Sequence, residues 1–178
     1  MRGIKTATEK AMPLAEDARE AVRQADGLII SAPGYHGSIS GLVKNALDYL
    51  EDLAKDERPY LDGRAVGLIA TAYGDQATMS TMQTLRSIVH ALRGWPTPMG
   101  ATIRTYPGLF SPDGECLDDR ARMQLDMVGQ QRQKARAQGG QGCRKGRRLR
   151  GDIAIDLSAH SAAFIWKPSS ILSEGATG

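Results

Sequence analysis

The chain reads as an α/β protein built on a doubly wound parallel sheet, and three observations predict this. Two short apolar runs, Leu28-Ile29-Ile30 and Ala65-Val66-Gly67-Leu68-Ile69-Ala70-Thr71, have the continuous hydrophobicity of strands buried on both faces. Each is followed by a loop of small residues. Each loop leads into a segment whose apolar residues recur at three/four spacing, the signature of a helix with one buried face. Strands alternating with helices form parallel βαβ units with right-handed crossovers.

The elements follow in order. Residues 14–25 are strong helix formers behind Pro13, and Asp26-Gly27 ends that helix and opens the strand 28–31. A helix is predicted from about Ser40 to Lys55, with Ile39, Leu42, Val43, Ala46, Leu47, Leu50 and Leu53 on one face. Residues 56–63 form a loop closed by Asp62-Gly63, and the strand 65–71 follows. After the loop Ala72-Tyr73-Gly74-Asp75, a helix runs from Gln76 to Leu92, with Met79, Met82, Leu85, Ile88, Val89 and Leu92 as its apolar face. Gly94-Trp95-Pro96-Thr97-Pro98 stops it. A short strand, 99–103, a loop over 105–114 and a helix over 116–137 complete the patterned region.

Composition bounds the function. The 178 residues suffice for one domain with a true core, and no run of about 18 apolar residues exists to span a membrane. Met1-Arg2-Gly3-Ile4-Lys5 lacks the apolar core of a signal peptide. Cys116 and Cys143 have no metal-ligand partners at suitable spacing and read as reduced thiols of a cytoplasmic protein. The formal charge of +3 is local: eight Lys and Arg lie between Gln130 and Arg150 with no acidic residue, and removing them leaves −5. That run lacks interleaved aromatics and reads as a solvated tail rather than a nucleic-acid contact. The expected organisation is therefore a domain over residues 1–137 and a basic, disordered tail over 138–178.

The loops carry the chemistry. Pro33, Gly34, Tyr35, His36, Gly37 and Ser38 lie at the carboxyl end of one strand, and Thr71, Ala72, Tyr73 and Gly74 at the end of another. In open α/β sheets ligands bind in the crevice outside such strand ends. Glycines allow positive φ and close approach of a ligand, while Ser38 and Ser40 are candidate helix caps. Free N–H groups at the start of a helix stabilise negative charge, which suits a ring that gains charge on reduction. An ordinary strand-to-helix turn has the same look. His36 has no evident partner to orient its imidazole, Lys44 fits a solvated helix face and a ligand contact equally well, and no Ser/His/Asp, phosphate-loop or metal-ligand arrangement is present.

The stretch Ser31-Ala32-Pro33-Gly34-Tyr35-His36-Gly37-Ser38-Ile39-Ser40-Gly41-Leu42-Val43-Lys44-Asn45-Ala46-Leu47-Asp48 resembles the signature of the NADPH-dependent FMN reductases, with supporting similarity at Leu61-Asp62-Gly63-Arg64 and through 65–74. The resemblance covers about residues 12–135. It implies a flavodoxin-like, three-layer fold, FMN at the strand ends, and hydride transfer from NADPH or NADH through the flavin to a small-molecule acceptor such as free flavin or a quinone. It also implies a homodimer or homotetramer. Carried over by position, Pro33 to Ser38 line the isoalloxazine and Thr71 to Gly74 form its other border. No catalytic side chain is implied, because the chemistry belongs to the cofactor.

The resemblance is not complete. Members of that family begin with a strand, a Ser/Arg-rich loop for the FMN phosphate, a helix and a second strand, and nothing before Ile4 corresponds to these. The expectation is an incomplete sheet lacking that first strand, phosphate loop and second strand. The strand 28–31 then becomes an exposed apolar edge, and whether Ile153-Ala154-Ile155-Asp156-Leu157 takes it is left open by the sequence. An alternative reading is a non-catalytic fragment that pairs with related subunits through the helices at 40–55 and 76–92.

Overall fold

The computed structural model describes residues 19–143, 153–156 and 164–166. Helix α1, of which residues 19–24 are described, precedes strand β1 (Gly27–Tyr35). The chain continues through β2 (Ser38–Ile39), α2 (Gly41–Asp48) and a 3₁₀ turn at Tyr49–Leu53. Then come β3 (Ala65–Ala72), α3 (Asp75–Ala91), β4 (Trp95–Arg104), α4 (Asp119–Cys143), β5 (Ile153–Asp156) and β6 (Phe164–Trp166).

The sheet order is β4-β3-β1-β5-β6, and β4, β3, β1 and β5 are mutually parallel. β6 returns antiparallel to β5, and β2 pairs only with the end of β1. The predicted α/β class and parallel βαβ order are present. The edge of β1 is not bare: Leu28–Ser31 pair with Ile153–Asp156. α4 runs past residue 137 to Cys143, and two strands from the C-terminal region join the sheet. The residues between and beyond them, like residues 1–18 and His160, lie outside the described residues.

Two apolar layers hold the sheet. On one face Leu28, Ile30, Val66 and Leu68 pack with Val22 of α1, Val43 and Leu47 of α2, and Met82, Leu85 and Val89 of α3. On the other, Ala101 and Ile103 pack with Ala121 and Val128 of α4. Each fully buried Leu, Ile or Val contributes about 1.5–3 kcal/mol relative to exposure. α4 comes close enough to β3 that a Cβ on Gly67 would stand 2.7 Å from Val128 Cγ1. Glycine is what permits that contact.

Several boundaries differ from the sequence reading for identifiable reasons. The helix expected to Lys55 stops at Asp48 and tightens into the 3₁₀ turn, whose i,i+3 geometry turns Leu50 and Leu53 inward together. Trp95-Pro96-Thr97-Pro98 belongs to β4, pairing Ala65↔Trp95 and Val66↔Pro96 before a register shift. β4 is an edge strand, where proline's missing N–H is tolerated. α4 begins at Asp119 because the Asp118 carboxylate accepts the Ala121 N–H at 2.8 Å and caps it. In α3, Thr78 and Thr81 join Met82, Leu85 and Val89 on the buried face, while Met79 is half-exposed.

Arg64 fastens α1 to the sheet. It is buried, with its guanidinium donating to the carbonyls of Ala25, Tyr60 and Arg23 at 3.0, 3.0 and 3.1 Å. The last carbonyls of a helix lack intrahelical partners, and a cation there also opposes the helix dipole favourably. On the surface Arg19 pairs with Asp52, and Arg23 with Asp56 at 2.9 Å, contacts of small net value.

Candidate functional site

The carboxyl ends of β1 and β3 lie side by side, with Pro33 opposite Thr71 and Ala32 opposite Ala70. The predicted loop after β1 is in fact a continuation of the strand. Pro33, Gly34 and Tyr35 are extended, Gly34 pairs with Ile39 and Tyr35 with Ser38, and His36-Gly37 form the turn. Both turn residues have positive φ, 51° at His36 and 87° at Gly37. That is the requirement of a two-residue turn matching the twist of its strands, and glycine meets it without strain. Pro33 falls two residues beyond Ser31, the last β5 partner, so its missing N–H breaks no bond of that ladder.

The hairpin rests on α3. A Cβ on Gly34 would stand 2.4 Å from Thr81 Oγ1 and 3.1 Å from the Ala77 carbonyl. The openness at Gly34 is therefore filled by helix rather than left for a ligand. Gly37 and Gly74 are different, because nothing stands within 4 Å of where their Cβ would be. Ser38 belongs to β2, and the α2 cap is Ser40, whose Oγ accepts the Val43 N–H at 3.2 Å.

The second border is equally compact. Thr71 and Ala72 end β3, with Ala72 buried, and Tyr73 projects into solvent at 86% exposure. Gly74 caps α3 through its carbonyl, which accepts the Thr78 N–H at 3.1 Å. All ten residues predicted for the site thus lie on one edge of the sheet, in two segments held by adjacent parallel strands. His36 is exposed, and among the described residues no hydrogen bond fixes its ring. Lys44 pairs with Asp48 on the solvated face of α2 at 2.5 Å. His90 is an exposed helix residue.

The residues present fit a flat ring between the two borders: open space at Gly37 and Gly74, an exposed aromatic at Tyr73, and a turn braced from behind by α3. Among the described residues no His/Cys/Asp/Glu group suits a metal ion, and no helix is long and apolar enough to cross a membrane.

A cavity elsewhere on the molecule was not foreseen from sequence. It opens at the end of β4, between the first turns of α3 and α4, with a volume of about 360 Å³. Tyr106 Oη donates to Asp118 Oδ2 at 2.9 Å along its wall. The Ala121 N–H, and then the Tyr106 hydroxyl, hold the Asp118 carboxyl below its usual range. The same hydrogen bond, followed by burial, raises the Tyr106 phenol. The only local signal in the sequence was the capping aspartate at Asp118.

Comparison with known proteins gives a consistent answer. Residues 4–106 match the family model of the NADPH-dependent FMN reductases. An FMN-dependent NADPH-azoreductase of Staphylococcus aureus (strain USA300) is 39% identical over 121 residues, covering 64% of this chain and 60% of that protein. The protein of the same description from Staphylococcus haemolyticus is 35% identical over the same length. The chain thus spans about 60% of the length of these curated relatives. Among solved structures, FerB, a flavoenzyme NAD(P)H:(acceptor) oxidoreductase of Paracoccus denitrificans, shares the fold at a TM-score of 0.56 and 18% identity, covering 69% of this chain and 68% of that one. The apo form of an NADH:FMN oxidoreductase matches at a TM-score of 0.51 and 26% identity, covering 67% of this chain and 59% of that one. With the parallel sheet, the hairpin signature and the family model in agreement, the chain belongs to the NADPH-dependent FMN reductase family.

Proposed function

We propose that this chain binds FMN by its ring, between the Pro33–Ser38 hairpin and the Thr71–Gly74 segment, and serves as an NAD(P)H-dependent oxidoreductase. The observation that carries this reading is the register of β1 against β3, which sets Pro33 beside Thr71 and so brings both segments to one sheet edge. When bound, FMN supplies the hydride chemistry. The protein's part is to hold and polarise the ring. The His36-Gly37 turn presents backbone to the ligand, α3 prevents it from yielding, and Tyr73 shields one side. The start of α2 follows two residues after the hairpin, and its N–H groups favour negative charge developing nearby.

The electron acceptor in this reading is a small molecule such as free flavin or a quinone, and an azo compound is suggested by the relatives' names. NADPH is the preferred donor on the same ground, the setting is cytoplasmic, and the assembly is a homodimer or homotetramer. Leu42 of α2 and Tyr49 beside it, both half-exposed, offer apolar surface for such pairing.

The test is direct. Titrating FMN with the purified full chain should quench flavin fluorescence saturably, and the complex should oxidise NADPH with a quinone acceptor. Gly37→Val, which strains the turn and fills the open space, should weaken FMN binding by about tenfold or more. Absence of saturable quenching would refute the reading for this chain.

A further inference from the structure

The cavity at the end of β4 lies away from the His36–Gly37 turn but beside the Thr71–Gly74 segment, because Ile103 and Arg104 pair with Thr71 and Ala72, and it has its own chemistry. Its walls come from three elements: the first turn of α3, the last residues of β4, and the first turns of α4 with the loop before it. Met79, Ile103 and Leu109 supply an apolar side. Arg104, Tyr106, Arg120 and Gln124 supply hydrogen-bond donors.

What distinguishes the cavity is unspent donor capacity. Gln124 is only 5% exposed, and its Oε1 is committed to the Thr102 N–H at 2.8 Å. That bond fixes the amide and leaves its two N–H donors without a partner among the described residues. Its NH2 group is not a buried orphan: it opens onto the cavity, where a ligand or water can take it. The guanidiniums of Arg104 and Arg120 stand at exposed positions of the lining, where a ligand can reach them, and the Arg120 charge also acts on Asp118. Each oxygen of Asp118 accepts one hydrogen bond, from Ala121 N–H and from Tyr106 Oη, and its charge acts on Arg120. Asp75, exposed at the first residue of α3, is the second carboxylate of the lining.

We propose that this cavity is a second small-molecule site, one that takes an organic oxyanion with an apolar or aromatic body. The oxyanion would complete Arg104, Arg120 and the Gln124 amide, and the body would lie against Met79, Ile103 and Leu109. Guanidinium forks suit the planar, two-oxygen edge of such a group. A volume of about 360 Å³ lies within the usual range for small-ligand pockets. Asp75 and the ionised Asp118 both oppose the oxyanion; Asp118 also holds the loop and the start of α4, so Asp75 is the one to neutralise, and its neutralisation should tighten binding.

The experiment is an amide-resolved NMR titration of the full chain with 1-naphthoate. Inorganic phosphate and 1-naphthylmethylamine serve as comparison probes, and each titration is run with and without FMN. Naphthoate is expected to shift Thr102, Ile103, Ala121 and Gln124 saturably, more tightly than phosphate, with the amine leaving them unmoved. The Arg104→Gln/Arg120→Gln double variant, with fold verified by its own spectrum, should weaken naphthoate by about tenfold. Asp75→Asn should strengthen it. The proposal is overturned if the amine binds as well as naphthoate, or if phosphate alone does. It is equally overturned if the double variant binds unchanged, or if the shifts fall on the His36–Ser38 hairpin and vanish with FMN.

Discussion

Both oxygens of Asp118 are engaged, one by the backbone N–H of Ala121 and one by the Tyr106 hydroxyl. One side chain thus starts α4 and fixes the loop that walls the cavity. Its carboxyl is held below the ordinary value of 3.8, first by the Ala121 N–H and then by the Tyr106 hydroxyl. A depressed folded pKa contributes stability that is present above the unfolded value and lost as pH falls through the folded one. Tyr106 behaves in the opposite sense. Its phenol is raised from 10.0, so its contribution holds below that value and fades as pH rises through the folded pKa. The pair should therefore stay intact from about pH 4 to pH 10. Carbonyl-detected NMR is expected to show Asp118 titrating below 3.8 in the folded chain, and Tyr106→Phe should move that midpoint upward. A midpoint at or above the ordinary value would contradict this assignment.

The hairpin shows how a motif can be read correctly in kind and wrongly in form. Glycine at Gly34, Gly37 and Gly41 suggested an open loop that a ligand approaches. The structure separates their reasons. Gly37 turns the chain, Gly34 admits α3, and Gly41 merely opens α2. The atoms that a Cβ on Gly34 would meet first belong to another element, at Thr81 and Ala77, some 45 positions along the chain, so no local pattern reveals the contact. Gly34→Val should push the hairpin off α3, because the Ala77 carbonyl is backbone and cannot swing away. The expected cost is about 1–3 kcal/mol in urea unfolding, of the order found for overpacking, together with weakened FMN quenching. Unchanged stability and unchanged quenching would show that the hairpin does not depend on that contact. The helix ends tell a similar story. Ser38 and Ser40 are equivalent caps in sequence, and only the pairing of Ser38 with Tyr35 decides that Ser40 caps.

The sheet as an assembly depends on a strand far from its neighbour in sequence. β5 pairs in parallel register with β1, closing an apolar edge that the order of the preceding elements leaves open. An unpaired edge of that composition is a template for association. Ending the chain after Cys143 removes β5 and β6 and should raise light scattering on warming and lower the unfolding temperature. A truncated chain as soluble and as stable as the full one would mean that β5 contributes nothing to the edge. The α/β class and the parallel order were legible because continuous apolar runs and three/four spacing are local properties that burial on a sheet demands. The ten residues at the two strand ends were legible because strand–loop–helix punctuation is local as well. The cavity was not, since Met79, Arg104, Asp118 and Gln124 come from three elements with no shared pattern.

Local patterning thus established the elements, their parallel sense and the family signature at 31–48. Three-dimensional contact decided which glycine turns and which one packs, what covers β1, and that a donor-lined cavity stands at the end of β4. The physical reason is that helix and strand periodicities record which face is buried. They carry no record of which distant atom does the burying, and that choice is made only when the layers close on one another.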